Sequence, residues 1–502
     1  MATPAAPLDP DSLQPAHLWQ IFAGIASVPR PSKKEQRIRE HVRALAADRG
    51  LEVRQDSIGN LAVDVPASAG CQSAPLTVLQ GHLDMVCEKN TGTVHHFDTD
   101  PIRLLADTDP STGQAIVRAD GTTLGADNGI GVSLALAAAF DPGVTHGPLE
   151  LLFTVDEEAG MSGAKALAPD FVKGRRLINL DSEEDDAIYI GCAGGCDSTL
   201  TWQFDATAAA GPSQKVSIAV TGLAGGHSGA DIHLNRTNAI KLLVQCLQSA
   251  GLGHLQLIEI NGGSLRNAIA REARATLAVP PGGFETLQAS AQRAQSFARD
   301  AGEQRCAIQA HPDPDTRPGL ALLPSDSQAV LDALAAIPSG VLSVEPQIAG
   351  LVRTSNNLAT IESSTSTQTN RCTITCGCLS RSSLAGDMQQ VLDQISAIAR
   401  LSGAQIEHGN DYPGWQPNLD SPLLASARRL YQRLFQQPPQ VTAIHAGLEC
   451  GIIGERTGRG MDMISIGPNI QGAHSPDERV YVASVEKTWT YLVALLEDLA
   501  KS

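Results

Sequence analysis

Hydrophobic positions along the chain recur with two periods. Residues 17–28 (HLWQIFAGIASV) and 34–50 (KEQRIREHVRALAADRG) repeat apolar side chains every three to four positions, which predicts amphipathic helices. Residues 60–65 (NLAVDV) and 75–82 (PLTVLQGH) are short apolar runs that predict strands. Residues 126–141 (ADNGIGVSLALAAAFD) predict a helix entered through Gly-rich turns. Residues 149–158 (LELLFTVDEE) and 176–184 (RLINLDSEE) predict buried strands ending in acids. Strands alternating with helices predict an α/β domain whose sheet is mixed and mostly parallel, with helices on both faces.

Near residue 193 the pattern changes. Strands are predicted at 214–223 and 255–263, and a turn followed by a helix at 225–251. A second round of similar elements follows, including 371–380 (RCTITCGCLS) and the helix pattern of 384–403. The expected organisation is therefore discontinuous. Residues 1–192 and 396–502 form the first domain, and 193–395 an inserted α+β lid, with the α/β character returning near GAQIEHGNDYPGW and ending in a helix at 484–500.

Composition narrows the partners. The chain has 502 residues, enough for two or more domains, and a formal net charge of −17. That charge argues against nucleic acid and against anionic membrane surfaces. The first residues show no basic stretch leading into an apolar run, and no apolar run reaches membrane-spanning length, so a cytoplasmic protein is expected. Ten cysteines in so long a chain read as reduced thiols. Cys192 with Cys196, and Cys372, Cys376 and Cys378, lack paired zinc-knuckle spacing and read as core.

Five segments carry candidate chemistry. In QGHLDMV, His82 and Asp84 are two apart, so both face one side of a strand. A carboxylate that orients a ligating imidazole has that arrangement, as does a satisfied buried histidine. Asp127, in TLGADNGIG, is a potential ligand or a helix N-cap. Glu157 and Glu158 follow Asp156 at a strand end, where the alternative is a solvated acidic loop. Asp181 closes the strand in LINLDSEE, and His474 lies in a Gly-rich loop after an apolar strand. Four of these five segments place a candidate ligand near the C-terminal end of a predicted strand, the edge where open α/β sheets bind ligands. Two imidazoles and three carboxylates without cysteine suit zinc, with cobalt or manganese as substitutes. Glu157, beside a ligand, is placed to act as an unligated base.

QGHLDMVCEKN, LGADNGIG, DEEAGMSGA, NLDSEE, GGHSGADIH and GAHSPDE, taken in order, resemble the zinc metallopeptidase family of carnosinases, aminoacylases, desuccinylases and tripeptidases. The resemblance spans nearly the whole chain. It implies a homodimer holding two Zn2+ per subunit, with His82 and Asp181 on one, Glu158 and His474 on the other, and Asp127 bridging. It implies Glu157 as general base and acid, Asp84 behind His82, and a cis Asp127–Asn128 peptide bond. His227, in GGHSG, matches a histidine that holds the scissile carbonyl oxygen, with a turn histidine making a local hydrogen bond as the alternative. Asn267, Arg271, His445 and Glu449 match substrate-facing positions, with satisfied structural roles as the alternative. The implied activity is hydrolysis of dipeptides, Xaa-His dipeptides such as carnosine among them. A deacylase or tripeptidase shares the same metal set, and a non-catalytic metal- or peptide-binding protein is a third reading.

Overall fold

The computed structural model describes residues 5–209, 211–313, 319–458 and 460–501. Contacts divide the chain into two compact units, one of residues 1–191, 415–443 and 448–502, the other of 192–414 and 444–447.

The first unit is built on an eight-stranded sheet. Its order is Glu52–Gln55, Leu61–Val65, Leu149–Thr154, Thr77–His82, Arg176–Asn179, Asp462–Ser465, Ala187–Cys192 and Gln440–Ile444. The four strands from Leu149–Thr154 to Asp462–Ser465 are mutually parallel. The strands flanking that block, Leu61–Val65 and Ala187–Cys192, pair with it antiparallel. Every residue of Thr77–His82 and Leu149–Thr154 is buried, as expected for parallel strands covered on both faces. Helix Ala126–Phe140 packs directly on these two strands, and the apolar side of helix Ala16–Ala26 packs against that helix. Gly81 permits close packing, because a Cβ there would run into Asn128 Oδ1 on the Ala126–Phe140 helix.

One buried acid in this sheet shows how the fold handles charge. Glu150 accepts from the Lys173 amide at 2.9 Å and the Gly174 amide at 3.0 Å, and it pairs with Arg54. A carboxylate removed from water needs such partners, since an unpaired one costs several kcal/mol.

A five-stranded sheet in the same unit includes Ile470–Gln471 and Arg479–Tyr481, which pair antiparallel. His474 sits in the loop between them, at φ 65°.

The second unit holds a nine-stranded sheet. Strands Gln214–Thr221, Gln256–Gly262, Ala273–Val279 and Ala307–Pro312 form one part of it, and Gly194–Asp205, Val352–Ser366, Arg371–Ser382 and Gln405–Tyr412 another. The two parts meet at the pairing of Gly262 with Ile361. Alternate residues of these strands pack against helices Ala239–Ser249, Gly283–Asp300, Pro324–Ala336 and Ala385–Ser402 to form one core. Cys372, Cys376 and Cys378 lie within it, and none of the ten cysteines is in a disulfide.

The expected boundary at 395/396 needs correction. Gln405–Tyr412 hydrogen-bonds along Gly194–Asp205, and the Ala385–Ser402 helix packs on the same sheet, so the inserted unit runs on to Gly414. Its short return at 444–447 was not foreseen.

Candidate metal centre

His82 ends its parallel strand, and its ring is 1% exposed. Nε2 lies 3.1 Å from Asp127 Oδ1 and 3.4 Å from Asp181 Oδ1. His474 Nε2 lies 3.2 Å from Asp127 Oδ2 and 3.1 Å from Glu158 Oε2. The two oxygens of Asp127 therefore face two different imidazoles. Asp127 is not an N-cap: it lies inside the first turn at ψ 109°, after the cap residue Gly125, and the Asp127–Asn128 peptide bond is cis. Asn128 Nδ2 donates to Leu180 O at 2.7 Å, which ties this turn to the residue before Asp181.

Asp84, fully buried, braces the next turn. Its Oδ1 accepts from the Glu157 amide at 3.0 Å, and its Oδ2 from the Glu158 amide at 3.1 Å and Ser32 Oγ at 2.7 Å. The same carboxylate approaches His82 Nδ1 at 3.4 Å. Glu157 and Glu158 open a short helix, Glu157–Gly160, rather than ending the strand itself.

The donor set fits divalent cations. Atoms sharing a tetrahedral zinc at about 2.0–2.1 Å stand roughly 3.3 Å apart, and the four imidazole–carboxylate separations fall between 3.1 and 3.4 Å. His82, Asp127 and Glu158 each offer a ligand atom within 4.8 Å of the others. Among the described residues, Glu158 Oε1 is buried without a hydrogen-bond donor.

The electrostatics agree. Hydrogen bonds to Asp127 and Glu158 push His474 up to about 11. Burial acts to lower His82, but Asp181, Asp127 and Asp84 outweigh it and hold the imidazole well above its usual value. Burial pushes Asp181 up to about 6 and Glu157 well above the carboxylate range. Burial would raise Asp127 too, yet the two histidines hold it below the ordinary value. Acids crowded out of water recruit positive charge, here protons on two imidazoles, and divalent cations satisfy the same demand with more charge in the same space.

Glu449, also fully buried, belongs to this unit. Its Oε2 accepts from Gln80 Nε2 at 2.6 Å and Thr154 Oγ1 at 2.5 Å, and burial pushes it up to about 8. Gln80 in turn accepts from Asn179 Nδ2 at 2.5 Å, and Ser465 Oγ donates to Asn179 Oδ1 at 2.5 Å. This chain of polar side chains runs across the parallel strands beneath the centre. Gln80 precedes His82 by two on the same strand, a spacing that would have flagged it.

The inserted unit carries the other candidates. His227 Nδ1 accepts from the amides of Gly229 at 3.3 Å and Ala230 at 2.9 Å. An amide only donates, so the ring proton sits on Nε2, and burial together with Arg381 keeps the imidazole neutral by lowering its pKa. Ala268 pairs with His227, and Asn267 O accepts from the Ser228 amide at 2.7 Å. Arg271 Nε donates to Leu223 O at 3.3 Å. His445 Nε2 meets Ser355 Oγ at 2.7 Å, and burial with Arg381 pushes it down to about 3.

Arg381 itself escaped the sequence reading. It is 5% exposed and donates to Tyr412 Oη at 2.9 Å, while among the described residues its Nε is buried without an acceptor and no carboxylate pairs with it. A buried guanidinium beside two histidines whose pKa values it helps to lower has the chemistry to pair with an anionic group. No sequence signal distinguishes this arginine, which lies in an ordinary strand.

The profile of Peptidase family M20/M25/M40 matches residues 78–498. The cytosol non-specific dipeptidase of Escherichia coli (strain K12) is 41% identical over 493 residues, covering 97% of this chain and 98% of the relative. The crystal structure of aminoacylhistidine dipeptidase from Vibrio alginolyticus aligns with a TM-score of 0.87 and 39% identity, covering 98% of each chain. A tripeptidase from Staphylococcus aureus shares the fold at a TM-score of 0.60 and 12% identity, covering 98% of this chain and 100% of that one. The profile's span runs from the strand of His82 past His474, across the centre just described, and the chain belongs to the M20/M25/M40 peptidase family.

Proposed function

We propose that this peptidase hydrolyses dipeptides, Xaa-His dipeptides such as carnosine among them, at a centre of two divalent cations that are zinc in the first instance. Membership of this metallopeptidase family implies divalent metal. The observation that carries the two-cation reading is Asp127, which presents one oxygen to His82 and the other to His474. His82, Asp127 and Asp181 form one ligand group, and His474, Asp127 and Glu158 the second. Cobalt and manganese suit the same nitrogen and oxygen donors.

Bound cations would supply Lewis acidity at the scissile carbonyl and acidify the attacking water. Glu157 is left outside both ligand groups. Its amide is fixed by Asp84, and its burial favours holding a proton. It takes one proton from water as the oxygen attacks the carbonyl carbon, then gives that proton to the departing amine nitrogen as the C–N bond breaks. His227, with its proton on Nε2, is suited to donate to the carbonyl oxygen. Arg381 is assigned to a substrate carboxylate, which favours substrates with a free carboxyl end.

A cytoplasmic location is supported by the name of the Escherichia coli relative, and no helix among the described residues is long and apolar enough to cross a membrane. A homodimer is proposed on family resemblance, and sedimentation of the purified protein tests it. The functional test is hydrolysis of an Xaa-His panel against N-acyl amino acids, before and after chelation. Dipeptide turnover that is lost with the metal and restored by zinc is expected; exclusive turnover of N-acyl amino acids would replace the dipeptidase reading.

A further inference from the structure

Glu478, outside both ligand groups, ties two ligand-bearing loops together. It closes the loop that carries His474 and is 2% exposed. Its Oε2 accepts from the amides of Leu124 at 2.7 Å and Gly125 at 2.8 Å. Its Oε1 accepts from the amides of Ala126 at 2.7 Å and Asp127 at 3.2 Å. Four successive amides aimed at one carboxylate make an anion nest whose anion is the protein's own side chain. Arg30, also 2% exposed, holds the same segment by a carbonyl: Nη2 donates to Gly125 O at 2.5 Å. Its Nη1 donates to Leu83 O at 3.1 Å and Asp84 O at 2.6 Å, next to His82.

We propose that Glu478 is a positioning residue for the cation centre, setting the distance between Asp127 and His474 by holding the 124–127 segment to the His474 loop. The role rests on the reading of Asp127 and His474 as ligands. Asp127 reaches His474 from a segment whose own amides have no intrahelical acceptors, because it lies ahead of and within the first turn of the Ala126–Phe140 helix. Without an anion in the nest, four amides face one another unsatisfied, and the segment has reason to turn away from the loop.

Glu478→Gln tests this. The amide side chain keeps the shape but has one accepting oxygen, and its NH2 group confronts two of the four N–H donors. Partners behind metal ligands typically contribute 10–100-fold to metal affinity. The folded variant should therefore bind Co2+ 10–100-fold more weakly than the parent in chelator competition, with a shifted visible cobalt spectrum. Glu150→Gln removes a comparable buried acid elsewhere in the unit, and should leave cobalt affinity and spectrum unchanged. Should Glu478→Gln fail to accumulate as folded protein, Glu478→Asp carries the comparison, since it keeps the charge but retreats by one methylene. Parent-like affinity and spectrum in either folded variant would overturn the positioning role alone. Absence of cobalt binding by the parent would overturn the ligand reading, and this role with it.

Discussion

Asp84→Asn perturbs the centre without replacing a proposed ligand. The Asp84 carboxylate serves the Glu157 amide, the Glu158 amide, Ser32 Oγ and the approach of His82 Nδ1 at once. An asparagine accepts through one oxygen, so its NH2 group must confront the amide of Glu157 or that of Glu158 at about 3 Å. A buried N–H left without an acceptor costs about 1–3 kcal/mol, and the charge that orients His82 is lost as well. The variant should lose about 2–4 kcal/mol of stability in urea unfolding, and 10–100-fold in metal affinity and kcat/KM. The same carboxyl predicts a pH effect in metal-free protein. Burial opposes its ionisation, but His82, Ser32 and the Glu157 amide outweigh burial and hold it at about 2 against an ordinary 3.8. At about 1.4 kcal/mol per pH unit, that favours the folded state by about 2 kcal/mol. Because the folded value is depressed, this stability is complete above pH 4 and is lost as pH falls towards 2. Asp84→Asn should flatten that acid limb. Unchanged metal affinity, kcat/KM and acid stability in the variant would refute the reasoning and leave His82 oriented by packing alone.

Three further outcomes are expected. Glu157→Gln should lower kcat by about 10²–10⁴-fold with full metal content, measured by steady-state kinetics and elemental analysis; loss of metal would make Glu157 a ligand instead. Arg381→Met should raise KM for dipeptides about 10–100-fold with little change in kcat, as expected from losing a charge-assisted contact; an unchanged KM would remove Arg381 from substrate recognition. Gly81→Ala should destabilise the first unit by about 1–3 kcal/mol, because the new methyl displaces buried Asn128; a neutral change in urea unfolding would show that the turn carrying Asn128 yields freely.

What could be read from the sequence was what short segments encode. His82, Glu158 and Asp181 each stand at or just past the end of a parallel strand, and apolar runs that end in an acid announce that position. The cis bond after Asp127 and the loop setting of His474 also matched expectation. The extent of the inserted unit was not legible. Gln405–Tyr412 reads as a generic strand, and only its register on Gly194–Asp205 assigns it to the second sheet. Glu478 was hidden for a different reason: all four of its partners are backbone amides, which have no sequence signature. Arg381 was hidden because its distinguishing feature is a missing acid, which becomes visible only once burial is known.

Everything depends on whether Asp127 joins two cations. Metal per chain, counted by mass spectrometry of the intact folded protein and paired with activity, addresses this most directly for the parent and for Asp127→Ala. Two equivalents in the parent, with both lost together with activity in Asp127→Ala, are expected. One equivalent in a fully active parent, or undiminished hydrolysis by metal-free protein, would contradict it.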